Sequence, residues 1–161
     1  MDIIKIYTDG SCHTRLLVGA WAAIIFVEGK PVTLQGFEYN TTHNRMELIA
    51  VIKAVEFVIE KYSGVPIEVI SDSQYVVNLI ERKERLKKNN FITSKATPVR
   101  NDDLVKSLIK LIEQQSLQFK KVKAHQVNGD VNNREADITV RRLLRQKVKE
   151  YGTKIEGPAP R

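Results

Sequence analysis

Alternation opens the chain. In DIIKIYT, residues 2 to 8, apolar and polar positions trade places with the period of two that predicts a strand. VGAWAAIIFVE, 18 to 28, is more continuously apolar and predicts a second strand, with Gly29-Lys30-Pro31 as the turn into a third, VTLQGFEY, 32 to 39. Such short connections predict an antiparallel meander, and Pro31 fits a turn that needs no ladder donor. The period then lengthens. NRMELIAVIKAVEFVIEKY, 44 to 62, carries a broad apolar side of Leu48, Val51, Ile52, Val55, Phe57, Val58 and Ile59, so it reads as a helix lying on the sheet. Asn44 and Glu47 have the spacing of a capping box, and Gly64 supplies the stop.

PIEVIS, 66 to 71, predicts a short fourth strand. A strand, a helix and a strand in that order imply a crossover, hence a parallel neighbour. Residues 73 to 86 read as helical and lead into the polar stretch KKNNFITSKATPVRN. Asn101 stands where it can cap DDLVKSLIKLIEQQ. LQFKKVKA, 117 to 124, is the fifth strand, and HQVNGDVN a polar loop. Asn132, with Glu135 three residues on, can cap a last helix from 133 to about 150, and GTKIEGPAPR reads as a loose tail. Neither a repeat nor a long linker divides the chain. The expectation is an α/β fold: a five-stranded mixed sheet flanked by helices, one domain over 1–150 and a flexible tail over 151–161.

Composition narrows the setting. One cysteine, Cys12, excludes an internal disulfide and a cysteine-rich zinc site. The chain has no apolar run long enough to span a membrane and no signal-peptide layout, so the expectation is a soluble, cytoplasmic protein without membrane contact. A net charge of +7 favours a polyanionic partner.

Four carboxylates fall at element ends: Asp9 after the first strand, Asp72 after the fourth, Glu47 in the first turn of the first helix, Asp137 one turn into the last. Each has an ordinary reading. Asp9 can make a turn, Glu47 can close a capping box, Asp72 can cap the helix near Ser73, and Asp137 can pair with Arg141 on a solvated face. Their grouping has a chemical reading. If the first and fourth strands are parallel, Asp9 and Asp72 share the carboxyl edge that ligands favour in open α/β sheets. Clustered carboxylates repel unless a cation neutralises them, and an all-oxygen donor set suits Mg²⁺ or Mn²⁺. Two such ions ~4 Å apart can drive phosphodiester hydrolysis.

IYTDGS at 6–11, NRMEL at 44–48, SDSQYV at 71–76, KAH at 123–125 and NREAD at 133–137 together resemble type 1 ribonuclease H, in the right order and over residues 3 to 145. The resemblance implies the ribonuclease H-like fold and an endonuclease that cuts the RNA strand of RNA–DNA hybrids, leaving a 5′-phosphate and a 3′-hydroxyl. It implies that Asp9, Glu47, Asp72 and Asp137 hold two Mg²⁺ ions, Mn²⁺ being an alternative, with Asp9 bridging them. It assigns His125 to proton movement or product release, since an unperturbed imidazole, with a pKa of ~6.5, changes protonation near neutral pH. Cys12, Thr42, His43, Asn44 and Gln74 match the residues that meet the minor groove, where a 2′-hydroxyl distinguishes RNA. His43 stands where relatives often carry asparagine.

The same resemblance makes residues 82 to 100 a basic handle. Arg82, Lys83, Arg85, Lys87, Lys88, Lys95 and Arg100 supply charge, and Phe91 is its only aromatic, where family handles often carry tryptophans. Phosphate contacts of this kind give affinity and salt dependence rather than sequence choice. Lys120, Lys121 and Lys123, and Arg141, Arg142, Arg145, Lys147 and Lys149, form further basic groups that either widen this face or keep the protein soluble. After Asp9, the loop CHTRLLV replaces a Gly/Asn/Pro-rich turn; Arg15 is the candidate phosphate contact there, and Leu16 and Leu17 are expected to pack the loop onto the sheet. The reading is of a free-standing monomeric enzyme with no obligatory protein partner. A nuclease of the same fold acting on junctions or integrating DNA, and a hybrid-binding module without catalysis, are the competing functions.

Overall fold

A computed structural model describes residues 2–123 and 131–156, with side chains through Thr153. Five strands form one sheet in the order β3-β2-β1-β4-β5. β1 (Ile4–Cys12), β2 (Gly19–Val27) and β3 (Lys30–Glu38) are the antiparallel meander. β4 (Ile67–Ser71) runs parallel to β1, and β5 (Leu117–Lys121) parallel to β4. The α/β fold with a five-stranded mixed sheet and flanking helices is thus as the sequence patterning implies.

α1 (His43–Lys61) packs on one face of the sheet. Ile4, Ile6, Ile25, Ile67 and Val69 point to it from the strands and meet Leu48, Val51, Ile52, Val55 and Val58. α4 (Asp102–Gln114) lies beside α1 and adds Val105, Leu108 and Ile109 to the same core. α5 (Val131–Glu156) covers the other face. Its Ala136 meets Tyr7, Ile24 and Ile70, and one turn later Val140 and Leu143 meet Ala20 and Ala22. The period of two along β1 therefore sends Ile4, Ile6 and Thr8 to the α1 face, and Tyr7 and Asp9 to the α5 face.

Several boundaries differ from the sequence reading. β1 does not stop at Thr8. Its pairing with β4 ends at Thr8↔Ser71, but its pairing with β2 continues through Asp9↔Ala22 to Cys12↔Gly19. The expected helix over 73–86 is two, α2 (Gln74–Glu81) and α3 (Lys83–Lys88), broken at Arg82. β5 ends at Lys121, so Val122 and Lys123 do not continue it as expected. Asn132 lies inside α5, and that helix continues through residues 151–156, the first half of the segment expected to be loose. The continuation has a packing reason: Tyr151 stacks on Tyr39 with centroids 5.1 Å apart, and Lys147 sits 4.1 Å above the Phe37 ring. Leu17 is 41% exposed at φ 57° and does not pack onto the sheet; its backbone is used instead, the N–H donating to the His13 carbonyl at 2.9 Å and the carbonyl accepting from Thr41 N–H at 3.0 Å.

Candidate active site

The point where β1 leaves β4 but stays with β2 creates the site. Asp9 and Asp72 are each the residue after the last β1–β4 pair, so two acids emerge side by side from neighbouring parallel strands. Gly10 follows. A Cβ there would lie 2.5 Å from the Met46 carbonyl carbon and 2.6 Å from Glu47 N, so only glycine lets α1 come this near. That approach delivers Glu47. One oxygen from each of Asp9, Glu47 and Asp72 falls within 4.8 Å of the others. Asp137 comes from α5 and lines the same cleft, about 540 Å³ in volume.

The ordinary readings of three acids do not hold. Asp9 is in the strand, not in a turn. Thr42, not Asn44, caps α1, its hydroxyl oxygen accepting from Arg45 N–H at 3.1 Å. Glu47 does not reach back to a cap; its Oε1 stands 3.3 Å from His43 Nε2. Ser73, not Asp72, caps α2, accepting from Val76 N–H at 3.2 Å. Asn101 occupies the cap position of α4 but its amide donates to Tyr75 Oη instead, at 3.1 Å. The fourth ordinary reading survives in part. Arg141 does pair with Asp137, at 2.9 Å, but in the cleft rather than on an open helix face.

Electrostatics show what this costs. Asp9 is 6% exposed and Glu47 is 2% exposed. Burial, then repulsion from Glu47, Asp72 and Asp137, pushes the Asp9 carboxyl up to about 9, against the single opposing hydrogen bond from Gly10 N–H at 2.9 Å. Burial also raises Glu47, opposed mainly by His43, and the Glu47 carboxylate in turn raises His43. Glu47 Oε2 is buried and has no hydrogen-bond partner among the described residues. An all-oxygen donor set, one orphaned carboxylate oxygen and an acid held protonated near neutrality fit a divalent cation: it would give Oε2 a partner and return Asp9 to its ionised form.

A second charged group fixes the α1 end of the cleft. Arg45 Nε lies 3.3 Å from Glu38 Oε1, and its two Nη atoms reach Asp103 at 3.2 and 3.1 Å. The end of β3, the first turn of α1 and the first turn of α4 are thereby tied together. This structural part of the arginine in NRMEL was not read from sequence.

Of the other candidates, His43, Asn44 and Gln74 line the cleft. Ser11, Ser73 and Tyr75 line it as well; their places inside DGS and SDSQYV were the available signal. Cys12 and Thr42 lie beside it. Cys12 Sγ donates to the Thr41 carbonyl at 3.4 Å, and Thr42 serves as the cap. Arg15 is exposed on the 12–18 loop, where its N–H and that of Leu16 donate to His13 Nδ1 at 3.3 and 3.0 Å. Lys87, Lys88 and Phe91 are not among the cleft residues. Lys87 pairs with Glu113 at 2.7 Å, Lys88 is exposed, and Phe91 packs against the main core beneath Lys106. His125 lies outside the described residues.

A family model described as RNase H matches residues 2–145. The chain belongs to the ribonuclease H family. It is 38% identical over 155 residues to "Ribonuclease H" of Thermoanaerobacter pseudethanolicus, covering 93% of this chain and 97% of that one. It is 36% identical over 148 residues to the "Ribonuclease H" of Caldicellulosiruptor saccharolyticus, covering 91% and 99%. Among solved structures, LC9-RNase H1, a type 1 RNase H with the type 2 active-site motif, superposes with a TM-score of 0.76 at 20% identity, over 89% of this chain and 72% of that one. A foamy viral protease-reverse transcriptase in complex with dsDNA gives 0.70 at 18%, over 86% and 92%. At those identities the two superpositions speak for the fold alone; topology and family together are those of type 1 ribonuclease H.

Proposed function

We propose that this protein hydrolyses the RNA strand of RNA–DNA hybrids, as a monomer, with two divalent cations. The observation that carries the reading is the convergence of Asp9, Glu47, Asp72 and Asp137 on one cleft, in a chain of this family. Asp9, which burial and its three acidic neighbours shift up to about 9, would be among the residues that hold the cations. Glu47 and Asp72 complete the three-acid group, and Asp137 closes it from α5. When bound, Mg²⁺ or Mn²⁺ lowers the barrier by activating the attacking water and stabilising the leaving oxygen. Attack at phosphorus breaks the bond to the 3′ oxygen, which takes up a proton; the products are a 5′-phosphate and a 3′-hydroxyl. His125 assists the proton movement or product release. His43, Asn44 and Gln74 on the cleft wall, with Cys12 and Thr42 beside it, read the minor groove, and the handle with Lys87 and Lys88 adds phosphate affinity, Phe91 serving to pack it onto the core.

A uniformly labelled hybrid incubated with Mg²⁺, Mn²⁺ or chelator tests this. The expected result is RNA-strand cleavage with either cation and none with chelator, and no cutting of duplex or branched DNA. Absence of RNA cleavage at every metal concentration would overturn the proposal, and metal-stimulated cutting of branched DNA would replace it with a junction-type activity.

A further inference from the structure

The three acids of the tight group share their charge with one another, but the fourth does not stand with them. Asp137 is 17% exposed and its Oδ2 holds Arg141 Nη2 at 2.9 Å. Arg141 itself is 58% exposed, at the mouth of the same cleft. Asp137 is still near enough to raise the Asp9 carboxyl, so its ion pair with Arg141 stands next to the cluster. Resting on the hybrid-cleavage reading above, we propose that Arg141 is a positioning residue that acts as a latch on Asp137. Without nucleic acid it holds the fourth carboxylate as its own counter-ion. When a hybrid enters, a backbone phosphate takes the guanidinium fork, and Asp137 is released toward the cations.

The geometry favours this over a simple helix-surface pair. An i,i+4 aspartate–arginine pair on an open face contributes a few tenths of a kcal/mol and touches nothing else. Here the carboxylate belongs to a cleft with three other acids, and the arginine is the one fixed positive charge among the described residues lining it; His43 is the other basic group and is engaged with Glu47. Arginine is also the side chain that exchanges a carboxylate for a phosphate without changing geometry, because its planar fork fits both.

A latch predicts effects of opposite sign on two ligands. Removing it should help the metal and hurt the hybrid. In Arg141→Gln, Mn²⁺ affinity of the nucleic-acid-free protein, read by titration calorimetry, should rise about two- to five-fold, the range set by a half-exposed ion pair. The KM for hybrid should rise by a similar factor while kcat moves little. Arg141→Lys, which keeps the charge but not the fork, should restore part of the KM. In an Asp137→Asn background, Arg141→Gln should bring no further gain in Mn²⁺ affinity. Unchanged or weaker Mn²⁺ binding in Arg141→Gln overturns the latch, as does a gain that persists with Asn at 137. If the wild-type protein cuts no hybrid, the functional reading fails, but the Mn²⁺ titrations still decide whether Arg141 restrains Asp137.

Discussion

Two groups of carboxylates flank the first turn of α1, and they are built in opposite ways. On one side, Glu38 and Asp103 share Arg45, every contact is 3.3 Å or shorter, and the guanidinium holds Asp103 below the usual carboxylate range. On the other, Asp9, Glu47 and Asp72 crowd together, with His43 against Glu47, and burial with mutual repulsion lifts both Asp9 and Glu47. The first group stabilises the fold. The second works against it unless a cation neutralises it. Adjacent segments of a single motif, NRMEL, supply Arg45 to one and Glu47 to the other, so one helical turn is anchored by the satisfied group while it holds the unsatisfied one in place.

Replacing Asp9 should separate the two roles most sharply. Asp9→Asn keeps an oxygen for Gly10 N–H and removes the carboxyl that burial and repulsion hold protonated without metal and that a cation would need ionised. Hybrid cleavage should fall roughly a thousandfold, the several kcal/mol that a cation-held site supplies to such a reaction. Chelated protein should nonetheless unfold at the same or a higher denaturant concentration than wild type. Single-turnover cleavage and denaturant titration in chelator check both halves. Retained activity removes Asp9 from the chemistry; a large loss of stability would mean that the cluster supports the fold after all.

pH sharpens the contrast without any mutation. Asp9 has a folded value of about 9 against 3.8 for the ordinary group. Its contribution is therefore complete below about pH 4 and is lost as pH rises through 9. Asp103 is shifted down, so its contribution is present above its ordinary value and is lost as pH falls through the folded one. Metal-free protein should lose stability between pH 4 and pH 9, with a limiting slope of about 1.4 kcal/mol per pH unit for one proton. Saturating Mg²⁺ should flatten that limb and leave the acid limb alone. Denaturation midpoints across pH, with chelator and with Mg²⁺, read this directly; equal slopes in the two series would show that no cation is relieving the cluster.

Arg45→Ala attacks the satisfied side and should destabilise by about 1 kcal/mol, since the network is partly exposed and screened. The loss should be the same in chelator and in Mg²⁺, as thermal unfolding in both will show. A loss that vanishes with metal would merge the two groups into one.

Why the sequence revealed so much of one group and so little of the other follows from distance along the chain. Alternation in residues 4 to 8 and the 3.6 period of α1 are local, so the meander, the crossover and the strand-edge place of Asp9 and Asp72 were readable. Local pattern failed where pairing decides. DGSC looks like a turn, and only its ladder with Gly19 to Ala22 keeps it a strand. In TTHN, spacing to Glu47 selects Asn44 as the cap, whereas the extended backbone of residue 42 makes it Thr42. Arg45 meets Asp103 across 58 residues and Lys87 meets Glu113 across 26, contacts that no periodicity announces. The convergence of four acids was a chemical inference from charge and element order; the motifs of the family turned it into an assignment.

The smallest expected effect concerns the loop that departs most from the family pattern. Arg15 is exposed and stands outside the acid cleft, on a loop shaped by His13 and held to the chain just before the Thr42 cap through Leu17 and Thr41. Any hold on the hybrid from there is electrostatic and at the periphery. Arg15→Ala should weaken hybrid binding about twofold at low salt and not at all near physiological salt, because one phosphate contact contributes about one counter-ion to the salt dependence and an exposed charge is screened within roughly 10 Å. Binding measured in chelator across a salt series gives the answer without cleavage. An unchanged slope would leave the 12–18 loop as a structural brace for the α1 cap, and the whole electrostatic grip on the substrate would then fall to the handle and to α5.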